Sequence, residues 1–277
     1  MKHGTALRLA MALLVTLGTA ETASAQLWQQ VEVIRTAHGV PHIRAENLRA
    51  AGYALAWMQL EDYGPGTALN LLRSSGRMAR LFGRDSIEFD FASHRARQQI
   101  VESWPQLEIE TRDFYDGFAA GVNRYVELYP ERFPTVMPTD FDGRDVAIRD
   151  VGGPSSGKIR GFLARLARAD SAGATVPAVA VDADVGSNAW ALAPSRSRSG
   201  HAMLLRNPHL AWTAGYYEAQ VTVPGVLDFY GDFRIGSPFG VVSGFNRDLG
   251  WATTNNAQDL DEIYSLAVDP ERRRHIH

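Results

Sequence analysis

The 277-residue chain contains no cysteine. Disulfide staples and thiolate metal centres are therefore excluded, and the absence suits an exported protein that avoids stray thiols. An excess of charge of one sign is lacking too. Against 28 Lys and Arg stand 31 Asp and Glu, a net charge of −3. With neither a basic stripe nor an acidic tail, nucleic acid is excluded as a partner. The apolar run from Leu9 to Leu17 falls short of the roughly 20 residues that span a bilayer. It follows Lys2 and Arg8 and precedes Ala23-Ser24-Ala25, a small-x-small cleavage pattern. Residues 1–25 thus read as an export signal. The mature chain is expected to begin near Gln26 and to work in the periplasm or outside the cell, with no stable membrane anchor.

What is present is ordinary globular composition, 45% hydrophobic and 21% charged, enough for a large core or two domains. The stretch QVEVIRTAHGVPHIRA alternates apolar and polar residues around His38-Gly39 and predicts a hairpin. Gly39 and Pro41 keep His38 and His42 off a shared helical face, so both read as structural rather than as zinc ligands. Asn47 is placed to cap a helix carrying Leu48, Ala51, Leu55, Met58 and Gln59, which stops at Gly64-Pro65-Gly66. A second helical stretch is expected through ALNLLRSSGRMARLFG. A third follows Pro105, with Phe114, Phe118, Val122, Tyr125 and Tyr129 as core. The basic segment KIRGFLARLAR reads as a helix packed on the domain, with its arginines solvated. After it, ADSAGATVPAVAVDADVG reads as an exposed linker. From residue 187 on, NAWALA, AMLLR, YEAQVTV, FGVVSGF and LGWATT are short β-type runs. Helices before about residue 170 and strands after 187 predict an α+β fold with antiparallel sheet.

Two serines draw attention as nucleophiles. Ser155, in Gly153-Pro154-Ser155-Ser156-Gly157, matches G-x-S-x-G, but no parallel βαβ pattern surrounds it and a proline sits inside it, so a flexible turn is the better account. Ser187 follows Gly186 at the end of the soft linker. No His or Asp lies within the ten residues after it. A serine placed after glycine can attack the carbonyl of its own preceding peptide bond, give an ester, and be freed as a new N-terminus when water hydrolyses that ester. Its α-amine, with a reference pKa of about 7.7–8.0, then supplies the base the hydroxyl needs. On spacing alone a plain loop serine remains the default.

The segment GSNAWALAPSRSRSGHAMLLRNPHLAW resembles the start of the β chain in the penicillin acylase family of N-terminal nucleophile hydrolases. YYEAQVTVPGVLDFYGDFRIGSPFGVVSGFNRDLGWATTNNAQDLDEIY continues the likeness in order. IRTAHGVPHIRAENLRAAGYALAWMQLED is similar to the family's α-chain start, and YDGFAAGVNRYV to a later helix. The resemblance implies an αββα sandwich with antiparallel sheets, incomplete here because family members run to several hundred residues. Residues 26–168 would be the α-chain region, 169–186 the spacer, and 187–277 the start of the β chain. The two chains would form a heterodimer cut from one precursor. Expressed alone, the 277-residue form is expected to be inactive.

Carried over residue by residue, Ser187 falls at the nucleophile and Gly186 at the scissile residue. His209, in NPH, falls where cephalosporin acylases and acyl-homoserine-lactone acylases place a histidine. Asn255 falls where a backbone N–H completes the oxyanion hole, a donor worth roughly 3–4 kcal/mol in the transition state. Asp259, Asp261 and Glu262 match a calcium-binding segment, though three carboxylates supply only part of the six to eight oxygens that calcium takes, and a solvated acidic turn competes with that reading. No cofactor is required, structural calcium aside. Where glutaryl-specific relatives carry an arginine, this chain has Val241 and Val242. With Leu210, Trp212, Tyr216 and Phe239 nearby, the expected partner is a small N-acyl substrate with an apolar acyl chain, such as an acyl-homoserine lactone. The rivals are a β-lactam acylase, a conventional hydrolase using Ser155, and a non-catalytic fragment that binds acyl ligands or a partner chain.

Overall fold

A computed structural model describes residues 26–133, 136–150, 161–168, 186–210, 215–254, 268–269 and 274–275. The N-terminal hairpin is present. Strand β1 (Val31–Arg35) pairs antiparallel with β2 (Pro41–Ala45), and Thr36 and Val40 close the turn with an N–H to carbonyl bond of 3.1 Å. His42 turns to the sheet, its Nδ1 2.5 Å from Gln220 Oε1, as befits a structural histidine.

Helix α1 (Leu48–Tyr63) begins where the Asn47 side chain accepts the Ala50 N–H at 2.9 Å. It is buried nearly all round, with Ala50, Ala51, Leu55, Ala56, Gln59 and Leu60 fully enclosed. A helix apolar on every side belongs in the middle of a domain rather than on its surface. One side packs on α5 (Ile109–Leu128), which buries Phe114, Phe118, Val122 and Tyr125. The approach is close. A Cβ on Gly117 would lie 2.7 Å from the Arg49 carbonyl carbon, and one on Gly52 would lie 2.8 Å from Phe118 N. Only glycine lets the two backbones meet there.

The second helical stretch is broken, contrary to the expectation of one helix. Helix α2 (Pro65–Ser74) ends and α3 (Met78–Phe82) begins after Gly76 at φ 68°. The Arg77 N–H reaches back to the Leu72 carbonyl at 3.2 Å, closing the helix through a left-handed glycine. Helix α4 (Ile87–Ser103) follows, and its Asp90 caps α3 by accepting the Met78 and Ala79 N–H groups, both at 2.8 Å. A capping box of Asp142 and Asp145 opens α6 (Gly143–Ala147). Residues 161–168 are helical as expected. Their Leu163 and Leu166 stay exposed instead of docking.

The remaining strands are β3 (Gly186–Leu192), β4 (Met203–His209), β5 (Tyr216–Val223), β6 (Leu227–Arg234), β7 (Ser243–Phe245), β8 (Gly250–Ala252), β9 (Val268–Asp269) and β10 (Arg274–His275), the last two paired antiparallel with each other. Six of the strands form one sheet in the order β1-β2-β5-β6-β7-β8. Every pairing in it is antiparallel except β2 with β5, which is parallel. The early hairpin is thus drafted into the later sheet, so helix and strand are less segregated along the chain than expected. On β5, Tyr217, Ala219, Val221 and Val223 point into the core, and on β6 Phe229 and Phe233 do. The fold is α+β. Among the described residues it presents one helical layer over one sheet, with β3 and β4 as a separate two-stranded hairpin.

Candidate active site

Strand β3 starts at Gly186, and its register with β4 sets the site. Gly186 stands opposite His209, Ser187 opposite Pro208, and Asn188 opposite Asn207. Hairpin pairing therefore unites two residues that the sequence separates widely. The Ser187 hydroxyl donates to the Gly186 carbonyl at 2.7 Å, across the bond that joins the two residues. His209 Nδ1 lies 3.7 Å from where a Cβ on Gly186 would stand. The Thr254 hydroxyl, just past β8, donates to the Ser187 carbonyl at 3.3 Å.

Arg206 on β4 ties the hairpin to the sheet through an ion pair with Asp232 on β6, the two side chains being 19% and 13% exposed. Asp232 also accepts from the Ser243 hydroxyl at 2.8 Å. The charged pair is thus enclosed and hydrogen-bonded, the condition under which such a pair holds geometry. The opposite face of the hairpin carries Trp190 across from Leu205 and Leu192 across from Met203, all about half exposed.

An apolar cleft of about 300 Å³ opens between the start of α5 and the sheet, lined chiefly by Phe114, Phe229, Phe233, Phe239, Val241 and Trp251. Phe239 packs edge-on against Phe114 and Tyr115, and Trp251 stacks on Phe229 at 5.2 Å. The turn carrying Phe239 is held from two sides. Gln59, fully buried on α1, accepts the Gly236 N–H at 2.8 Å and donates to the Arg234 and Ser237 carbonyls. Asp150 accepts from Ser237 and, at 3.1 Å, from Tyr115. Burial pushes the Asp150 carboxyl above the usual range, opposed by those hydroxyls and by Arg234 and Arg149. Arg234 lies 3.7 Å from Asp150 and donates to the Arg149 carbonyl, so its charge is engaged away from the cleft.

Of the described residues expected to contact the acyl group, Leu210, Tyr216, Phe239 and Val242, the cleft takes Phe239. Val241 rather than its neighbour Val242 lines it, and the Val242 carbonyl instead accepts from Thr253. Leu210 is exposed just beyond His209, and Tyr216 sits half-buried at the start of β5, opposite Arg234. Trp212, Asn255, Ser155 and the calcium candidates Asp259, Asp261 and Glu262 lie outside the described residues. Among the described residues no group of three or more His, Asp or Glu is placed to hold a metal ion. Among them, too, no helix is long and apolar enough to cross a membrane. Thr254, Pro208, Gln59 and Asp150 went unremarked in the sequence as contributors to this region. The NPH segment was the one available signal, since a proline opposite the serine has no N–H to offer it.

An α+β core with a Gly-Ser bond at the head of a hairpin and a histidine facing it is the arrangement that the described residues present. The chain belongs to the penicillin amidase family, whose model matches residues 30–277. Its relatives include the acyl-homoserine lactone acylase PvdQ of Pseudomonas fluorescens (strain Pf0-1), 30% identical, with the match covering 91% of this chain and 36% of that protein. Aculeacin-A acylase of Actinoplanes utahensis is 25% identical over 79% of this chain and 33% of its own. Acyl-homoserine lactone acylase QuiP of Pseudomonas aeruginosa is 23% identical over 86% and 34%. The chain therefore spans about a third of the length of these relatives. A thermostable penicillin G acylase from Alcaligenes faecalis aligns over 55% of this chain and 97% of its own, at 20% identity and a TM-score of 0.36, too loose a likeness to bear on the fold.

Proposed function

We propose that this chain carries the self-processing, nucleophile-bearing part of a secreted acylase that hydrolyses the amide of an N-acyl substrate, with acyl-homoserine lactones as the substrate class. The observation that carries the reading is the Ser187 hydroxyl set against the Gly186 carbonyl at 2.7 Å. Ser187 Oγ attacks the Gly186 carbonyl carbon. A C–O bond forms, the C–N bond to Ser187 breaks, and the hydroxyl proton ends on the released nitrogen. Water then hydrolyses the ester, leaving a carboxylate on Gly186 and restoring the hydroxyl on Ser187. The two resulting chains remain associated as a heterodimer.

The freed α-amine becomes the general base, since its reference pKa of about 7.7–8.0 leaves part of it neutral at neutral pH. It takes the hydroxyl proton as Oγ attacks the substrate amide. The proton passes to the leaving amine, and water hydrolyses the acyl-enzyme. His209 faces this amine and steadies it. The Asn255 N–H is the proposed oxyanion donor. The substrate class follows from the names of the acyl-homoserine lactone acylases among the relatives and from the apolar lining of the cleft, with Arg234 engaged by Asp150. The N-terminal segment 1–25 is read as the export signal.

The test is N-terminal sequencing and intact mass of the protein expressed from its complete reading frame. Wild type should yield a chain beginning at Ser187. Ser187→Ala should stay uncut and lose turnover of a long-chain N-acyl-homoserine lactone. An uncut wild type, or a Ser187→Ala variant cut at the same bond, refutes the reading.

A further inference from the structure

We infer that Thr254 is a positioning residue for cleavage at Gly186-Ser187, holding the serine through its main-chain carbonyl; the inference rests on the proposed role of Ser187. In an antiparallel pair the carbonyl of one residue can accept from the N–H of the residue opposite. The residue opposite Ser187 is Pro208, which has no N–H to give. The ladder partner thus supplies no donor to the Ser187 carbonyl. The Thr254 hydroxyl fills that place from a different strand end, at 3.3 Å.

Two hydrogen bonds therefore bracket one residue. The side chain of Ser187 donates backwards to Gly186, and its carbonyl accepts sideways from Thr254. Holding the carbonyl anchors the main chain of Ser187 at the head of β3. The serine then presents its hydroxyl to the scissile carbonyl from a held backbone. Without Thr254 the main chain at the head of β3 loses this tether, and attack-ready geometries become a smaller share of the population. Thr254 touches no reacting atom. It acts through the backbone of the residue that does.

The experiment follows precursor loss over time, by intact mass, in the protein expressed from its complete reading frame. Wild type, Ser187→Ala, Thr254→Val, Thr254→Ala and Thr254→Ser are compared, with thermal unfolding of each measured alongside. Thr254 is exposed, so no core contact is lost in any of these variants. Thr254→Val and Thr254→Ala should both process roughly three- to tenfold more slowly, the range of one lost neutral hydrogen bond, at unchanged unfolding temperature. Thr254→Ser, which keeps the hydroxyl, should recover the wild-type rate. If Thr254→Val and Thr254→Ala cleave at the wild-type rate, or if Thr254→Ser is as slow as they are, the inference fails while the role of Ser187 stands. If wild type is not cut at Gly186-Ser187, or Ser187→Ala is, the role of Ser187 fails and takes the inference with it.

Discussion

Replacing Gly117 by alanine adds one methyl group where α1 and α5 approach closely, and the structure sets both the sign and the size of the effect. The new Cβ would stand 2.7 Å from the Arg49 carbonyl carbon and 2.9 Å from Arg49 Cα, where ordinary contact begins at 3.4 Å. Those are main-chain atoms, with no rotamer to move aside. Helices α1 and α5 would have to separate by on the order of 1 Å, loosening the contacts of Phe114, Phe118 and Leu55 along the seam. Overpacking of this kind costs about 3 kcal/mol at the upper end of its usual range. Alanine's better helix propensity returns about 1 kcal/mol. The net is a loss of about 2 kcal/mol, a factor of about 30 in the folded-to-unfolded ratio. Gly66→Ala on α2 is the matched control. Nothing lies within 4 Å of its Cβ, so the same change should be neutral or stabilising by about 0.5 kcal/mol. Urea unfolding followed by tryptophan fluorescence measures both. A Gly117→Ala variant as stable as Gly66→Ala would show that the helices do not approach as described.

Gln59→Leu should cost about 2–3 kcal/mol in the same assay, because it leaves the buried Gly236 N–H without a partner and takes a donor from the carbonyls of Arg234 and Ser237. A loss below 0.5 kcal/mol, on the order of a surface change, would deny Gln59 its hold on the turn. Burial raises the Asp150 carboxyl above its ordinary value of 3.8, so its contribution to stability is fully present below that value and is lost as pH rises through the folded-state value. Asp150→Asn removes this slope and should gain on wild type as pH rises above the ordinary carboxyl value of 3.8; parallel curves would contradict it. Across a series of N-acyl amides, kcat/KM should rise with aliphatic chain length, each buried CH₂ being worth about 0.8 kcal/mol, and should fall for glutaryl amides. A preference for glutaryl would reject the apolar reading.

Local chemistry made much of the fold legible in the sequence. The turn at His38-Gly39, the Asn47 cap and the aromatic spacing of α5 each follow from one short stretch of residues, and each is present. The break at Gly76 was hidden because apolar periodicity runs on through it, and only the backbone's left-handed step reveals the stop. Helix α4 gave little signal because Ile87, Phe89, Phe91 and Val101 are exposed rather than ranged on one buried face. The parallel junction of β2 with β5 joins residues far apart in the chain, where local patterns carry no information. At the site, Ser187 and His209 stood out through the family resemblance, yet their facing positions came from hairpin register. Thr254 reaches Ser187 only through tertiary placement.

The scissile bond sits at the very head of β3, and this has a consequence for what a cut would leave behind. Severing Gly186 from Ser187 removes one cross-strand pair, Gly186 with His209, and leaves the pairs from Ser187 to Leu192 untouched. The new terminus is therefore not a loose end. It stays stitched to β4 along its length, while the Arg206–Asp232 pair continues to moor β4 to the sheet. A departing glycine would vacate a berth beside His209, in front of the Ser187 hydroxyl. Were the proposed cut to occur, a substrate's acyl carbonyl brought to that berth would meet the same hydroxyl, and the uncut backbone would be the template for the reaction that follows.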